Sequence, residues 1–388
     1  MTTALLSEKM NSKKINHGLE AETILIDEAY FSSLIADINE ATISIKMETY
    51  IFANDDIGKK VLSALCFAAE RGVDTRLMID GIGSRSWTAE MTKQLVQAGG
   101  MLRIYHPLPW LIRHIKVNPQ RRMSLWQKII YLMTHINTRN HRKVCVIDNR
   151  IGYIGSANIT RSPLYNKSLL WHDVTVKCVG NLQPLIYAFN IAWGKQTFKT
   201  KLNTIFSLVK SNPVFRLNYS WRLRRFLYKD ILYKIKHANK RIWITNAYFV
   251  PRHFFLKQLA KARRAGIDVR IVITKDSDVA AVSLLTKTFY NFLLKSNIIL
   301  LEYSNAGILH AKILIIDDWM CVGSSNINYR SFRHDLEADI SLQYAETKKT
   351  LENQVKKYQH DSTRITSIEL PYFKKIIARC MLLIKYWC

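Results

Sequence analysis

One pattern occurs twice in this chain, about 170 residues apart, and carrying it twice constrains the chain to fold as two equivalent halves. The first copy opens His141-Arg142-Lys143, runs through Val144-Cys145-Val146-Ile147 to Asp148, and resumes at Gly155-Ser156-Ala157-Asn158. The second opens His310-Ala311-Lys312, runs through Ile313-Leu314-Ile315-Ile316 to Asp317, and resumes at Gly323-Ser324-Ser325-Asn326. Both fit H-x-K-x4-D followed by G-S-x-N. A duplicated motif is the shape of a site assembled from two halves, each giving one His.

Strand alternation places His141 beside Lys143, and His310 beside Lys312, on one face. The apolar runs that follow read as strands buried on both sides. Turn residues, Asp148-Asn149 and Asp317-Asp318, then reverse the chain, so His and Asn meet at one end of a hairpin. The residue types suit phosphodiester cleavage without a metal or other cofactor. That reaction needs a nucleophile, a proton donor for the leaving oxygen, and positive charge around the phosphoryl oxygens. The two His supply the first two. Lys143, Lys312, Asn158 and Asn326, with Ser156 and Ser324, are the candidate phosphate clamp. Asp148 and Asp317 complete the catalytic motif, but their opposite strand parity marks them as turn and hydrogen-bonding residues. A neutral His nucleophile also needs a carboxylate to fix its tautomer. Glu337 and Asp173 lie about 30 residues beyond the His of their own half and are the candidates.

The repeat extends beyond the motif. Arg71-Gly72-Val73-Asp74 answers Ala265-Gly266-Ile267-Asp268, each preceded by a strand and helix pattern and followed by a strand pattern. Strands alternating with helices predict two α/β lobes with mixed, largely parallel sheets flanked by helices and the site at their interface. The expected divisions are residues 1–200, 201–365, and an amphipathic segment 366–388. The first half holds an insertion at about 108–139, where Trp and aliphatics interleave with Arg and Lys and no acid occurs between Glu90 and Asp148. That composition suits an interfacial helix on an anionic bilayer. The stretch 195–225 is basic and carries Trp and Tyr; it has no assignment.

A formal net charge of +27 on 388 residues requires an anionic partner, lipid surface or nucleic acid. Six cysteines, Cys66, Cys145, Cys178, Cys321, Cys380 and Cys388, lack metal-ligand spacing, and neither a disulfide framework nor a zinc site is expected. No signal peptide or membrane-spanning run is read from the sequence. Oligomeric state is left open, since a two-motif chain can build one whole site by itself.

The chain resembles the phospholipase D superfamily, and within it bacterial cardiolipin synthases without N-terminal membrane-spanning helices. Beyond the motifs, the likeness rests on Met47-Glu48-Thr49-Tyr50-Ile51-Phe52, Asp80-Gly81-Ile82-Gly83, Asn246-Ala247-Tyr248-Phe249-Val250-Pro251, and Arg330-Ser331-Phe332 running into Glu337. The resemblance implies two pseudo-symmetric phospholipase D-like lobes and a covalent phosphohistidine intermediate, with His141 as nucleophile and His310 as acid/base. It implies that Lys143, Asn158, Lys312 and Asn326 hold the phosphate and that Glu337 orients a His; Asp173 is the less regular counterpart. The expected reaction joins two phosphatidylglycerol molecules into cardiolipin and glycerol, peripherally, at the cytoplasmic face of a bacterial inner membrane. The expected partner is thus an anionic phospholipid surface rather than nucleic acid. A lipid hydrolase and a nuclease of the same superfamily are the alternatives.

Overall fold

The computed structural model describes residues 18–107, 124, 126, 138–162, 170–194, 212–275, 277 and 280–367. Nearly all of the 108–139 insertion, the stretch 195–211 and the segment from 368 onward lie outside the described residues. The membrane expectations placed on them stay expectations.

Strands of the first half are β1 (Leu19–Ile26), β2 (Ser44–Thr49), β3 (Asp74–Asp80), β4 (Met101–Tyr105), β5 (Val144–Ile147), β6 (Ile151–Gly155), β7 (Trp171–His172) and β8 (Val174–Gly180). Those of the second are β9 (Phe215–Leu217), β10 (Arg241–Asn246), β11 (Asp268–Thr274), β12 (Ile299–Tyr303), β13 (Ile308–Leu309), β14 (Ile313–Ile316), β15 (Trp319–Gly323), β16 (Ala338–Ser341) and β17 (Ser362–Arg364). They form a seven-stranded sheet ordered β1-β8-β6-β5-β2-β3-β4 and an eight-stranded sheet ordered β17-β12-β11-β10-β14-β15-β16-β9. Matched strand for strand, β2, β3, β4, β5, β6 and β8 answer β10, β11, β12, β14, β15 and β16. The repeat in the sequence is therefore a repeat in topology. Parallel pairing is confined to β2-β3-β4 and β10-β11-β12, and every other pair in these two sheets is antiparallel. The sheets are mixed as expected, but less parallel than expected, because each motif forms a hairpin rather than a strand-helix-strand unit.

Period-two alternation explains the unbroken apolar runs. Val144 and Val146 face a core shared with Ile313, Ile315, Val322 and Ile340 of the other half. Cys145 and Ile147 face the opposite way, into a core with the helices Glu28–Glu40 and Asp56–Glu70. The two sheets thus pack face to face, each with a helical layer on its outer side. Helix boundaries follow local chemistry. Asp55 caps Asp56–Glu70 by accepting from the Gly58 N–H at 2.8 Å, and that helix stops at Gly72, whose φ is +87°. Gly266, with φ +88°, ends the equivalent helix His253–Arg264.

Candidate active site

Both motif His-Lys pairs lie just before their strands, and each is anchored by the opposite lobe. The His141 N–H donates to the Leu336 carbonyl at 2.9 Å, and the His310 N–H donates to the His172 carbonyl at 2.9 Å. Leu336 immediately precedes Glu337, and His172 immediately precedes Asp173. A parallel bridge Asn140–Leu336 and the two-stranded parallel sheet β7-β13 support these contacts. Each lobe therefore aligns the other's imidazole.

The side chains cross in the same way. His141 Nδ1 lies 3.1 and 3.0 Å from the two carboxylate oxygens of Glu337, and His310 Nδ1 lies 2.8 Å from Asp173 Oδ1. The expectation that each carboxylate serves the His of its own half is corrected. Within one sheet, β6 separates the acid-bearing β8 from β5, and β15 separates β16 from β14. Two inter-strand spacings, roughly 10 Å, exceed hydrogen-bond reach. The facing sheet supplies the partner instead.

Ser156 and Ser324, expected on phosphate, are fully buried and hold the acid-bearing strands. Ser156 Oγ accepts from the Val174 N–H at 3.0 Å, and Ser324 Oγ accepts from the Ala338 N–H at 3.0 Å. Ser324 Oγ also donates to Glu337 at 2.5 Å and Ser331 Oγ donates to it at 2.6 Å. The motif glycines permit this. A Cβ on Gly155 would meet Thr175 Cα at 2.5 Å, and one on Gly323 would meet Asp339 Cα at 2.5 Å. Asn158 Oδ1 accepts from the Ile51 N–H at 3.2 Å, and Asn326 is buried with no partner for its Oδ1.

Asp148 and Asp317, counted with the catalytic motif, sit at the hairpin turns, at the far end of the motif strands from the His. Asp148 accepts from the N–H groups of Thr42, Ile43 and Ser44, and Asp317 from those of Asn239, Lys240 and Arg241. Each has φ near +50°, a left-handed turn conformation that Asp tolerates. They tie each motif hairpin to the start of β2 or β10.

Electrostatics bind the two halves into one site. Burial, then Lys143 and Lys312, push His141 well below the ordinary His range. Burial also lowers His310, with the Asp173 charge opposing it and both lysines adding to it. Desolvation raises Asp173, but His310, Lys312 and Ser156 outweigh it and bring it down to about 2. Desolvation lifts Glu337 to about 7 against Lys143 and the two serine hydroxyls. Desolvation lowers Lys143 to about 8 although Glu337 and Asp173 oppose it. Lys143 Nζ donates to the His141 carbonyl at 2.6 Å, and Lys312 Nζ donates to the His310 carbonyl at 2.5 Å. With each Nδ1 on a carboxylate, both Nε2 atoms are available for chemistry.

Sequence reasoning gave no role to several neighbours. Trp171 stacks on His310, with ring centroids 4.4 Å apart and planes 10° apart. Tyr50 meets His141 edge-on at 5.0 Å and Tyr248 meets His310 at 6.2 Å. Both tyrosines lie in the segments leaving β2 and β10, so the repeat carried a signal for them. Trp171 has no such counterpart. Deeper still, Asp80 accepts from Arg139 and from the Asn140 N–H, fixing the chain just before His141.

The family described as cardiolipin synthase, PLD-like domain, matches residues 34–169 and 231–359, one stretch in each half. Cardiolipin synthase B of Escherichia coli (strain K12) is 30% identical over 328 residues, covering 81% of this chain and 74% of that protein. A cardiolipin synthase of Geobacillus sp. (strain WCH70) is 28% identical, covering 89% of this chain and 67% of its own. Among solved structures, phosphatidylserine synthase of Haemophilus influenzae Rd KW20 superposes with a TM-score of 0.68 over 95% of both chains at 14% identity, a likeness of fold. The duplicated motifs, the twofold topology and these matches agree: the chain belongs to the cardiolipin synthase, PLD-like domain family.

Proposed function

We propose that this protein is a phosphatidyltransferase that converts two phosphatidylglycerol molecules into cardiolipin and glycerol. The crossed His–carboxylate pairs carry the reading, because they leave two imidazole Nε2 atoms and two lysines for one phosphodiester. His141 Nε2 attacks phosphorus while His310 gives its proton to the departing glycerol oxygen, leaving a phosphohistidine. The hydroxyl of a second phosphatidylglycerol then attacks phosphorus, His310 takes its proton, and the P–N bond to His141 breaks. Cardiolipin leaves and both imidazoles return to their starting state.

The charge asymmetry supports this assignment of roles. Burial lowers His310, and the ionised Asp173 works against that effect, favouring the proton that an acid carries. Glu337, lifted to about 7, leaves His141 neutral and nucleophilic. Lys143, Lys312 and the Nδ2 hydrogens of the Asn326 carboxamide are the proposed donors to the phosphoryl oxygens. Among the described residues no helix is long and apolar enough to cross a membrane, so peripheral attachment is proposed.

The test is purified protein with phosphatidylglycerol vesicles and a chelator, products resolved by mass spectrometry. Cardiolipin with equimolar glycerol is expected. Phosphatidic acid alone would make the protein a hydrolase, and nicked DNA with intact lipid would remove the lipid reading.

A further inference from the structure

We infer that the helices Trp221–Lys236 and His253–Arg264 form the face that docks on an anionic bilayer, bordering the active-site end of the second lobe. This deepens the phosphatidyl-transfer reading and rests on it for the choice of lipid.

The first helix sorts its residues sharply. Leu223 is buried, and Tyr228, Ile231 and Ile235 pack into the second lobe's outer core. On the opposite side, Arg222, Arg225, Phe226, Lys229, Tyr233 and Lys236 are all exposed and fall on one stripe at helical spacing. Phe226 is 45% exposed and Tyr233 is 62% exposed, where a purely solvated helix face would carry polar side chains. The second helix packs against the first and repeats the pattern: Phe254, 56% exposed, shares a stripe with Lys257, Lys261 and Arg264.

Charge on this face is one-sided. From Asn218 to Ile267 there are thirteen Lys and Arg and one acid, Asp230. Asp230 is already taken by Arg216 at 2.6 Å and Lys234 at 3.0 Å. No acidic partner occurs among the described residues for the cations on either stripe. Aromatic side chains among unneutralised cations, on helices lying flat against the fold, match the boundary between anionic headgroups and acyl chains.

Placement relative to the site strengthens the assignment. Trp221–Lys236 leads into β10, so its first turn lies at the end of the sheet where Tyr248 meets His310. Beside that turn, Asn218 accepts from the Glu337 N–H at 2.6 Å, and Arg224 donates to the Arg333 carbonyl at 3.2 Å. Helix His253–Arg264 starts from the same end, a few residues after Tyr248. A bilayer seated on both stripes reaches the imidazole end of the sheet at the first turns of the two helices, while Lys236 and Arg264 lie toward the Asp317 end.

The test is sedimentation with phosphatidylglycerol–phosphatidylcholine vesicles, using Arg222→Glu/Arg225→Glu/Lys229→Glu and, separately, Phe226→Ala/Phe254→Ala. Phe67→Ala, at an exposed site on the first lobe, is the control. The charge reversal should weaken binding on the order of a hundredfold, and the aromatic pair about tenfold. Turnover of short-chain phosphatidylglycerol dispersed below its micelle concentration should stay at the parent rate in both. Undiminished vesicle binding in both variants overturns the inference, as does loss of single-stranded DNA binding with vesicle binding intact. Lost vesicle binding in a protein that never forms cardiolipin would leave the docking face standing and remove the transfer reading alone.

Discussion

His310 of the second lobe and Asp173 of the first share a hydrogen bond of 2.8 Å, and that carboxylate is held down at about 2. Its mirror pair, His141 with Glu337, has nearly the same geometry at 3.0 Å, yet Glu337 stands at about 7. The difference follows from the partners. At Glu337 desolvation outweighs Lys143 and the two serine hydroxyls, whereas at Asp173 it is outweighed by His310, Lys312 and Ser156. Twofold topology thus supports two unequal acid–base pairs.

Those unequal pairs separate the roles experimentally. His141→Ala should abolish turnover of every substrate. His310→Ala and Asp173→Asn should lose about 10²- to 10⁴-fold with phosphatidylglycerol. Both should recover much of their first-step rate with a p-nitrophenyl phosphodiester, whose leaving group needs no proton. A stopped-flow burst of nitrophenolate measures this. A burst in His141→Ala, with none in His310→Ala, would reverse the assignment.

The pH profile of kcat/KM should be bell-shaped. Both imidazoles sit below the ordinary His value, so the acid limb, where the nucleophile becomes protonated, and the first fall in rate on the alkaline side, where His310 loses the proton it donates, both lie below about pH 6.5. Burial depresses Lys143 to about 8, so its charge is lost as pH rises through that value and a second, alkaline limb lies there. Lys143→Arg stays charged and should shift the alkaline limb upward by more than about one unit, though at a lower maximal rate. An alkaline limb fixed at the same pH in that variant would clear Lys143.

Much of this arrangement was legible in the residues. The two H-x-K-x4-D copies gave the two halves, the period-two runs gave strands buried on both faces, and the parity of Asp148 and Asp317 put them at the turns. The crossing of Glu337 and Asp173 was not legible, because chain order says nothing about which sheet face meets which. Ser156 and Ser324 were misread for a related reason. A serine beside a catalytic strand suggests phosphate, and only the close approach of β8 and β16 reveals that each hydroxyl is occupied by the acid-bearing strand. Trp171 left no trace in the repeat, since its stack on His310 spans the lobes.

The turn aspartates should matter for stability rather than rate. Asp148→Asn and Asp317→Asn each weaken a carboxylate that gathers three backbone N–H groups, at a cost of about 1–2 kcal/mol. Burial alone would raise both groups, but those N–H donors hold both carboxyls below the usual Asp range. Their contribution is therefore present above the unfolded value and lost as pH falls through the depressed native one. Urea unfolding at pH 7 and pH 3 should show a gap between parent and variant that narrows at the lower pH. Near-parent turnover is expected for both, and a collapse of kcat without loss of stability would return these residues to the catalytic set.

The motif glycines couple stability to chemistry. Gly155→Ala places a methyl 2.5 Å from Thr175 Cα on β8, the strand that follows Asp173. Gly323→Ala does the same 2.5 Å from Asp339 Cα on β16, the strand that follows Glu337. Backbone cannot yield cheaply, so each variant should lose about 2–3 kcal/mol and also displace the carboxylate that orients the opposite lobe's His. Gly72→Ala and Gly266→Ala provide the contrast. Their Cβ positions meet nothing within 4 Å, and only their positive φ is unfavourable, so about 1 kcal/mol should be lost with turnover intact. Thermal unfolding paired with the vesicle assay distinguishes the two classes. Full activity in Gly323→Ala would mean that strand spacing does not set the position of Glu337.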